Sequence, residues 1–243
     1  MNLKTLSSEG KIAYLIKPIL KVLQEAGGQL ERSEIKERIA DMDDQIAEYS
    51  VLEKKSKITA GYMLIGILVC LFISEVNGFL LSYFKYDEYY VTTTITPITE
   101  EIAKALPVLY FAFLFSDKRE TLISLSIATG IGFAILENLM IFVANVEYVS
   151  LFWAAVRGFS SGLMHGLCTA AVGIGLSFVH KKKKLFVCGT FALLIVAITY
   201  HAIYNTLIQS EHQILGAILP MATYVPVLIV MYGNKIFKKE KSK

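Results

Sequence analysis

Glu100, Glu101, Lys104, Glu137, Asn138, His165, His201 and Asn205 stand out because each is polar or ionisable yet sits within an apolar stretch. Carboxylates and imidazoles take and give protons, and the same groups ligate metals. Placed together they could activate a water, hold a zinc ion in a two-His, one-Glu set with an open position, or carry protons across a barrier. Spacing sorts them into local pairs, since helical residues three or four apart share a face. Glu100 and Glu101 both reach Lys104, His165 reaches Thr169, and His201 reaches Asn205. Arg157 and an isolated Glu75 complete the ionisable residues within apolar segments.

The surroundings that must position these groups are membrane helices. Of 243 residues 54% are apolar and 19% charged, and mean hydropathy is +0.52, well above that of a soluble domain. Apolar stretches near 58–83, 97–116, 121–145, 150–179, 185–209 and 213–234 predict about six spanning helices in an all-α polytopic bundle. Lysine and arginine collect before the first stretch, at Lys118 and Arg119, at Lys181 to Lys184 and from Lys235 onward. The positive-inside rule therefore predicts a multi-pass protein of the cell membrane with both termini cytoplasmic. Residues 57–236 form the membrane domain on this reading and 237–243 a basic cytoplasmic tail. The N-terminus MNLKTLSSEGK shows no secretory signal, so the mature chain is expected to begin there. Net charge is only +3 and the basic residues are dispersed, so no nucleic-acid partner is expected. Cys70, Cys168 and Cys188 lack paired spacing and read as small packing residues.

Depth along the helices adds an argument that local spacing cannot. Counting from the cytoplasmic ends, Glu101, Glu137, His165 and His201 all fall about 24 to 27 Å into a core about 30 Å thick. Chance would scatter them, because neighbouring helices run in opposite directions. The common plane lies in the outer third of the bilayer, within reach of water. Thr96 and Pro97 also predict a helix start there, which would give Glu100 a structural role near the positive end of the dipole. Gly130, Gly132, Gly158, Gly162, Gly166, Gly173 and Gly175 suit close helix packing around the same residues.

Residues 1–56 read differently. Ile12, Leu15, Ile16, Ile19, Leu20 and Leu23 have helical spacing without a spanning run. A Gly27–Gly28 break, Ser33 as N-cap of a second helix and a third helical stretch from Asp43 to Lys55 predict a small cytoplasmic helical domain. The segment LIKPILKVLQEAGGQLERSEIKERIAD resembles the start of the winged-helix domain of Mrr-type restriction proteins, though acids balance its bases and no DNA footprint is present. A protein-contact or regulatory role is the expectation.

Four ordered motifs carry a second resemblance: EEIAK at 100–104, GFAILEN at 132–138, RGFSSGLMHGLCTAAVGIG at 157–175 and HAIYN at 201–205. Together they resemble the PrsW family of membrane proteases, and in pattern the type II CAAX prenyl endopeptidases. Glu137 stands where the CAAX enzymes have His, which favours PrsW. The resemblance implies an endopeptidase acting on membrane-anchored substrates such as anti-sigma factors. In that reaction Glu101 and Glu137 would hold and deprotonate a water. His165 would orient it or protonate the leaving nitrogen, His201 and Asn205 would stabilise the oxyanion, and Lys104 would fix a glutamate. No cofactor is expected on this mechanism. A zinc version of the same protease, with Glu101, Glu137, His165 and His201 as ligands, stays open, as does a proton-coupled transporter. The absence of an internal repeat argues against the transporter. A catalytically silent receptor is the remaining alternative, and the full set of motif residues argues against it.

Overall fold

A computed structural model describes residues 3–147 and 150–240, and the described residues form helices without strands. The chain divides into two compact units, Met1–Thr59 and Ala60–Lys243.

In the first unit, helix α1 (Ser8–Glu25) is capped by the Ser7 hydroxyl, which accepts from the Gly10 N–H. It ends where Gly27 and Gly28 take positive φ, a conformation that side chains with a Cβ avoid. Helix α2 (Arg32–Met42) follows, and α3 (Asp44–Phe84) begins at Asp43, whose carboxylate accepts from the Gln45 N–H. Leu3, Val22, Ile39 and Ile46 form the core. The first two expected helices correspond to α1 and α2, whereas the third, expected over Asp43 to Lys55, is the first part of α3, which runs on to Phe84. Ser33 differs from its expected role. It lies inside α2, and the residue at the cap position, Glu31, makes no side-chain cap bond.

In the second unit a short turn, α4 (Glu88–Tyr90), leads through a π-helical stretch Val91–Ile95 into α5 (Thr96–Leu114). Next come α6 (Arg119–Ala144), α7 (Leu151–Leu176), a second π-helical stretch Leu185–Gly189, α8 (Thr190–Ile208) and α9 (Gln213–Glu240). Among the described residues, four helical segments are long and apolar enough to cross a membrane: Lys54–Phe84, Arg119–Ala144, Leu151–Leu176 and Leu185–Ile208. The expected second span is helix α5, whose Glu100, Glu101 and Lys104 dilute its apolar character. The sixth lies in α9, whose apolar part Gln213–Pro226 is shorter. Of the basic tail, residues 241–243 lie outside the described residues.

The predicted helix start at Thr96 is displaced. Ile95 is already helical, with φ −75° and ψ −49°, and makes no cap bond. The capping side chain is Asp87, which accepts from the Tyr90 N–H at 3.1 Å. Glu100 and Glu101 therefore lie well inside a continuous helical run, and the favourable field of a helix start no longer accounts for them.

Helices α3, α6 and α7 approach closely where their side chains vanish. A Cβ on Gly132 would overlap the Met63 carbonyl of α3, and one on Gly130 would press on the backbone of His165. Thr99 of α5 donates to Asn77 of α3 at 2.7 Å, which ties the glutamate-bearing helix to the same framework.

Candidate active site

Five consecutive residues of α5, about one and a half turns, carry two acids and the base of the site. Glu100, Glu101 and Lys104 are all fully or nearly buried, facing α6, α7 and α8. Lys104 donates to Glu101 Oε1 at 2.6 Å and to His165 Nδ1 of α7 at 2.7 Å. Its ammonium also stands over the Phe133 ring of α6, 4.7 Å from the centroid. Such burial is tolerable only because the charge is compensated on several sides.

Lysine has no lone pair to offer, so His165 Nδ1 must accept and its proton resides on Nε2. That proton points at Glu137 Oε2 of α6, 2.9 Å away. On α8, His201 Nδ1 faces Glu101 Oε1 at 2.8 Å and donates to it, which leaves the Nε2 lone pair bare. His201 Nε2 has no partner, nor has Glu100 Oε2, and the two lie 3.8 Å apart. The two imidazoles meet edge to face, with centroids 4.8 Å apart. One hydrogen-bonded path thus runs Glu137, His165, Lys104, Glu101, His201, and Glu100 stands at its end, 3.8 Å from His201 Nε2.

Six of the eight residues singled out in the sequence belong to this path. Helical spacing left Glu100 and Glu101 as equal partners for Lys104, and the structure chooses Glu101. Asn205 lies one turn from His201 but outside the path, donating to the Thr92 carbonyl at 2.9 Å. Pro97 has no N–H, so it cannot serve the carbonyl five residues back in the π register, and the Asn205 amide takes that place. Asn138 turns away from the path and donates to the Ala134 carbonyl at 2.7 Å. Two contributors went unassigned in the sequence. Ser161 donates to Glu137 Oε2 at 3.3 Å, and its position four residues before His165 was the available signal. Arg157, which opens the motif at 157–175 but was given no role, shares a cavity with Glu137.

That cavity, of about 390 Å³, is lined among others by Glu137, Arg157, Asn205, Thr92, Trp153 and Gln209. Glu137, with 17% of its side chain exposed, is the point at which the otherwise sealed path meets the cavity.

The arrangement also suits a metal ion. Glu100, His165 and His201 present ligand atoms within 4.8 Å of one another. Two of these atoms, Glu100 Oε2 and His201 Nε2, are buried without partners, and three carboxylates face one ammonium across the path. A carboxylate behind a histidine, as Glu101 stands behind His201, is the usual second support of a ligating imidazole. His165 would join by exchanging one of its two present partners. This set has Glu100 where the sequence reading placed Glu101 and Glu137.

No curated protein and no solved structure matches this chain. Residues 55–231 match the sequence pattern of the family described as PrsW family intramembrane metalloprotease. That stretch holds every residue of the path, so the chain belongs to the PrsW family and is an intramembrane protease.

Proposed function

We propose that the chain is an endopeptidase that hydrolyses membrane-anchored proteins in the cavity beside Glu137, in the outer part of the bilayer, with a divalent metal held by Glu100, His165 and His201. The observation that carries this reading is the pair of buried lone pairs on Glu100 and His201 without hydrogen-bond partners, beside Glu137, the member of the path that lines the cavity. A divalent metal such as zinc, when bound, supplies a Lewis acid that acidifies water and polarises a carbonyl.

The side chains do the rest. Glu137 takes the proton from the attacking water, held in place by Ser161 and by the His165 Nε2–H. As a ligand, His165 would give up Lys104 at Nδ1 and keep its Nε2–H on Glu137, and Glu137 itself passes the proton it has taken to the leaving nitrogen. Arg157 and Asn205 line the cavity, and their N–H groups are the candidates to receive charge developing on the scissile carbonyl. His201 is turned toward Glu101 and Glu100, which supports a ligand role for it beside the oxyanion role expected from the sequence.

The test compares new protein N-termini in membranes of cells expressing the native chain or Glu137→Gln. Removing a general base predicts a loss of about 10²- to 10⁴-fold in processing, with N-termini at or just outside membrane spans seen only with the native chain. Identical peptide sets from equally abundant proteins would overturn proteolysis and favour the carrier alternative. Metal analysis of the purified chain decides the second point: stoichiometric zinc that disappears in His201→Ala supports the ligand set. Full activity in protein shown to be metal-free would return the reaction to the two glutamates alone, with Lys104 supplying the balancing charge.

A further inference from the structure

A second recess adjoins the catalytic cavity. It measures about 550 Å³, within the range of binding sites, and lies between α6 and α7 with Tyr224 of α9 at its edge. Its walls are apolar, from Ile131, Ile135, Leu139 and Phe142 on α6, and Phe142 is shared with the cavity that holds Glu137.

Two features separate this recess from ordinary lipid-facing surface. Gly158 and Gly162 line it, and neither is needed for packing within the chain. A Cβ on Gly162 would meet nothing within 4 Å, and one on Gly158 only the Phe142 ring at 3.9 Å. Gly130, by contrast, is pressed against His165. The two open glycines leave a strip of bare α7 backbone facing the recess. The second feature is Asn138, only 5% exposed and part of the wall. One of its two amide hydrogens goes to the Ala134 carbonyl, while Oδ1 has no partner. A buried acceptor in apolar surroundings calls for a donor from outside the chain.

The geometry points to this recess as the subsite for the substrate's own membrane segment, an apolar stretch of polypeptide whose main-chain N–H binds Asn138 Oδ1 while the adjoining peptide bond lies by Glu137. A lipid tail fits the apolar walls but brings no donor. A peptide brings both. Successive residues on a helix point about 100° apart, so Glu137 and Asn138 face the two neighbouring spaces and divide the work, one cutting and the other holding. The inference rests on the proteolytic reading and assigns it a substrate class, membrane segments with locally available N–H groups beside apolar side chains.

The experiment uses full-length Glu137→Gln protein, purified and reconstituted in phosphatidylcholine vesicles, with photoreactive p-benzoylphenylalanine in place of Gly162 or, as control, Phe191 on the outer face of α8. The probe is a biotinylated single-span Leu/Ala peptide with a Gly-Ser pair in its outer third. Light should attach the peptide at position 162 several-fold more than at 191. Asn138→Leu should reduce the adduct several-fold while leaving the thermal midpoint of the protein unchanged. Adducts with phosphatidylcholine alone would make the recess a lipid groove. Adducts with a second copy of the chain would make it a dimer seam, and equal labelling at both positions would make it no site. Any of these overturns the inference. Capture is read on an inactive variant, whereas proteolysis is read from native-protein N-termini, so failure of one is distinguishable from failure of the other.

Discussion

Lys104 is the residue on which the buried path depends electrostatically. It has no exposure and holds Glu101 at 2.6 Å and His165 at 2.7 Å. Replacing it by Met strands the Glu101 carboxylate, and such loss of one partner of a buried pair costs about 3–5 kcal/mol. The expected result is a marked fall in the thermal midpoint of the purified protein. Adding Glu101→Gln to Lys104→Met should recover much of that loss, because the second change removes the stranded charge. At this scale the sequence was highly legible. The depth count already singled out Glu101, Glu137, His165 and His201, and hydrogen bonds among them and Lys104 join all four. The choice between Glu100 and Glu101 was not legible, because both reach Lys104 on a helix and only the approach of His201 from α8 distinguishes them.

Between helices the decisive contacts are those of missing side chains. Gly132 packs on the Met63 backbone and Gly130 on that of His165, so the depth at which His165 meets Glu137 is set by two helices touching main chain to main chain. Gly132→Leu should force α3 and α6 apart and destabilise the protein by about 1–3 kcal/mol or more. Gly162→Ala should not lower the thermal midpoint, since nothing lies within 4 Å of the added Cβ. Thermal melts of the two variants in one detergent check this contrast. The sequence marked these glycines as packing residues but could not separate the crowded from the open, which depends on what the partner helix presents. The displaced start of α5 has a similar origin. Thr96 and Pro97 form a sound local start signal, overridden because Asp87 caps the run earlier and the π-helical stretch carries it through the proline.

Across the whole molecule, composition and the apolar stretches were enough to read a helical membrane protein with helices ahead of its first span, the N-terminal appendage. Less legible were the cap of α2 and the detail of the appendage, where short polar helices offer several equivalent starts. One link in that unit responds to pH. The Tyr14 hydroxyl donates to Asp43 Oδ2 at 2.6 Å and, with the Gln45 N–H, holds the Asp43 carboxyl below the usual carboxylate range. A carboxylate with a lowered folded pKa contributes its stability above the unfolded value, near 3.9, and loses it as pH falls through the folded value. Hydrogen-exchange protection of residues 8–47 in the full chain should therefore fall as pH drops below about 4. Tyr14→Phe should lower protection at neutral pH and flatten that acid response.

The π-helical stretch Val91–Ile95 bears on how freely the chain's length can vary. It holds one residue more per turn than an ordinary helix would, directly above Glu100 and Glu101. Deleting a single residue there would allow a regular helix with better hydrogen bonds. It would also turn everything above the deletion by about 100° relative to the glutamates. Thr92 would leave Asn205 whenever Glu101 kept His201. The loop before Asp87 can gain or lose residues without this penalty. Within the five residues of the π stretch, length itself is part of the catalytic alignment, so natural insertions and deletions should stop at Asp87.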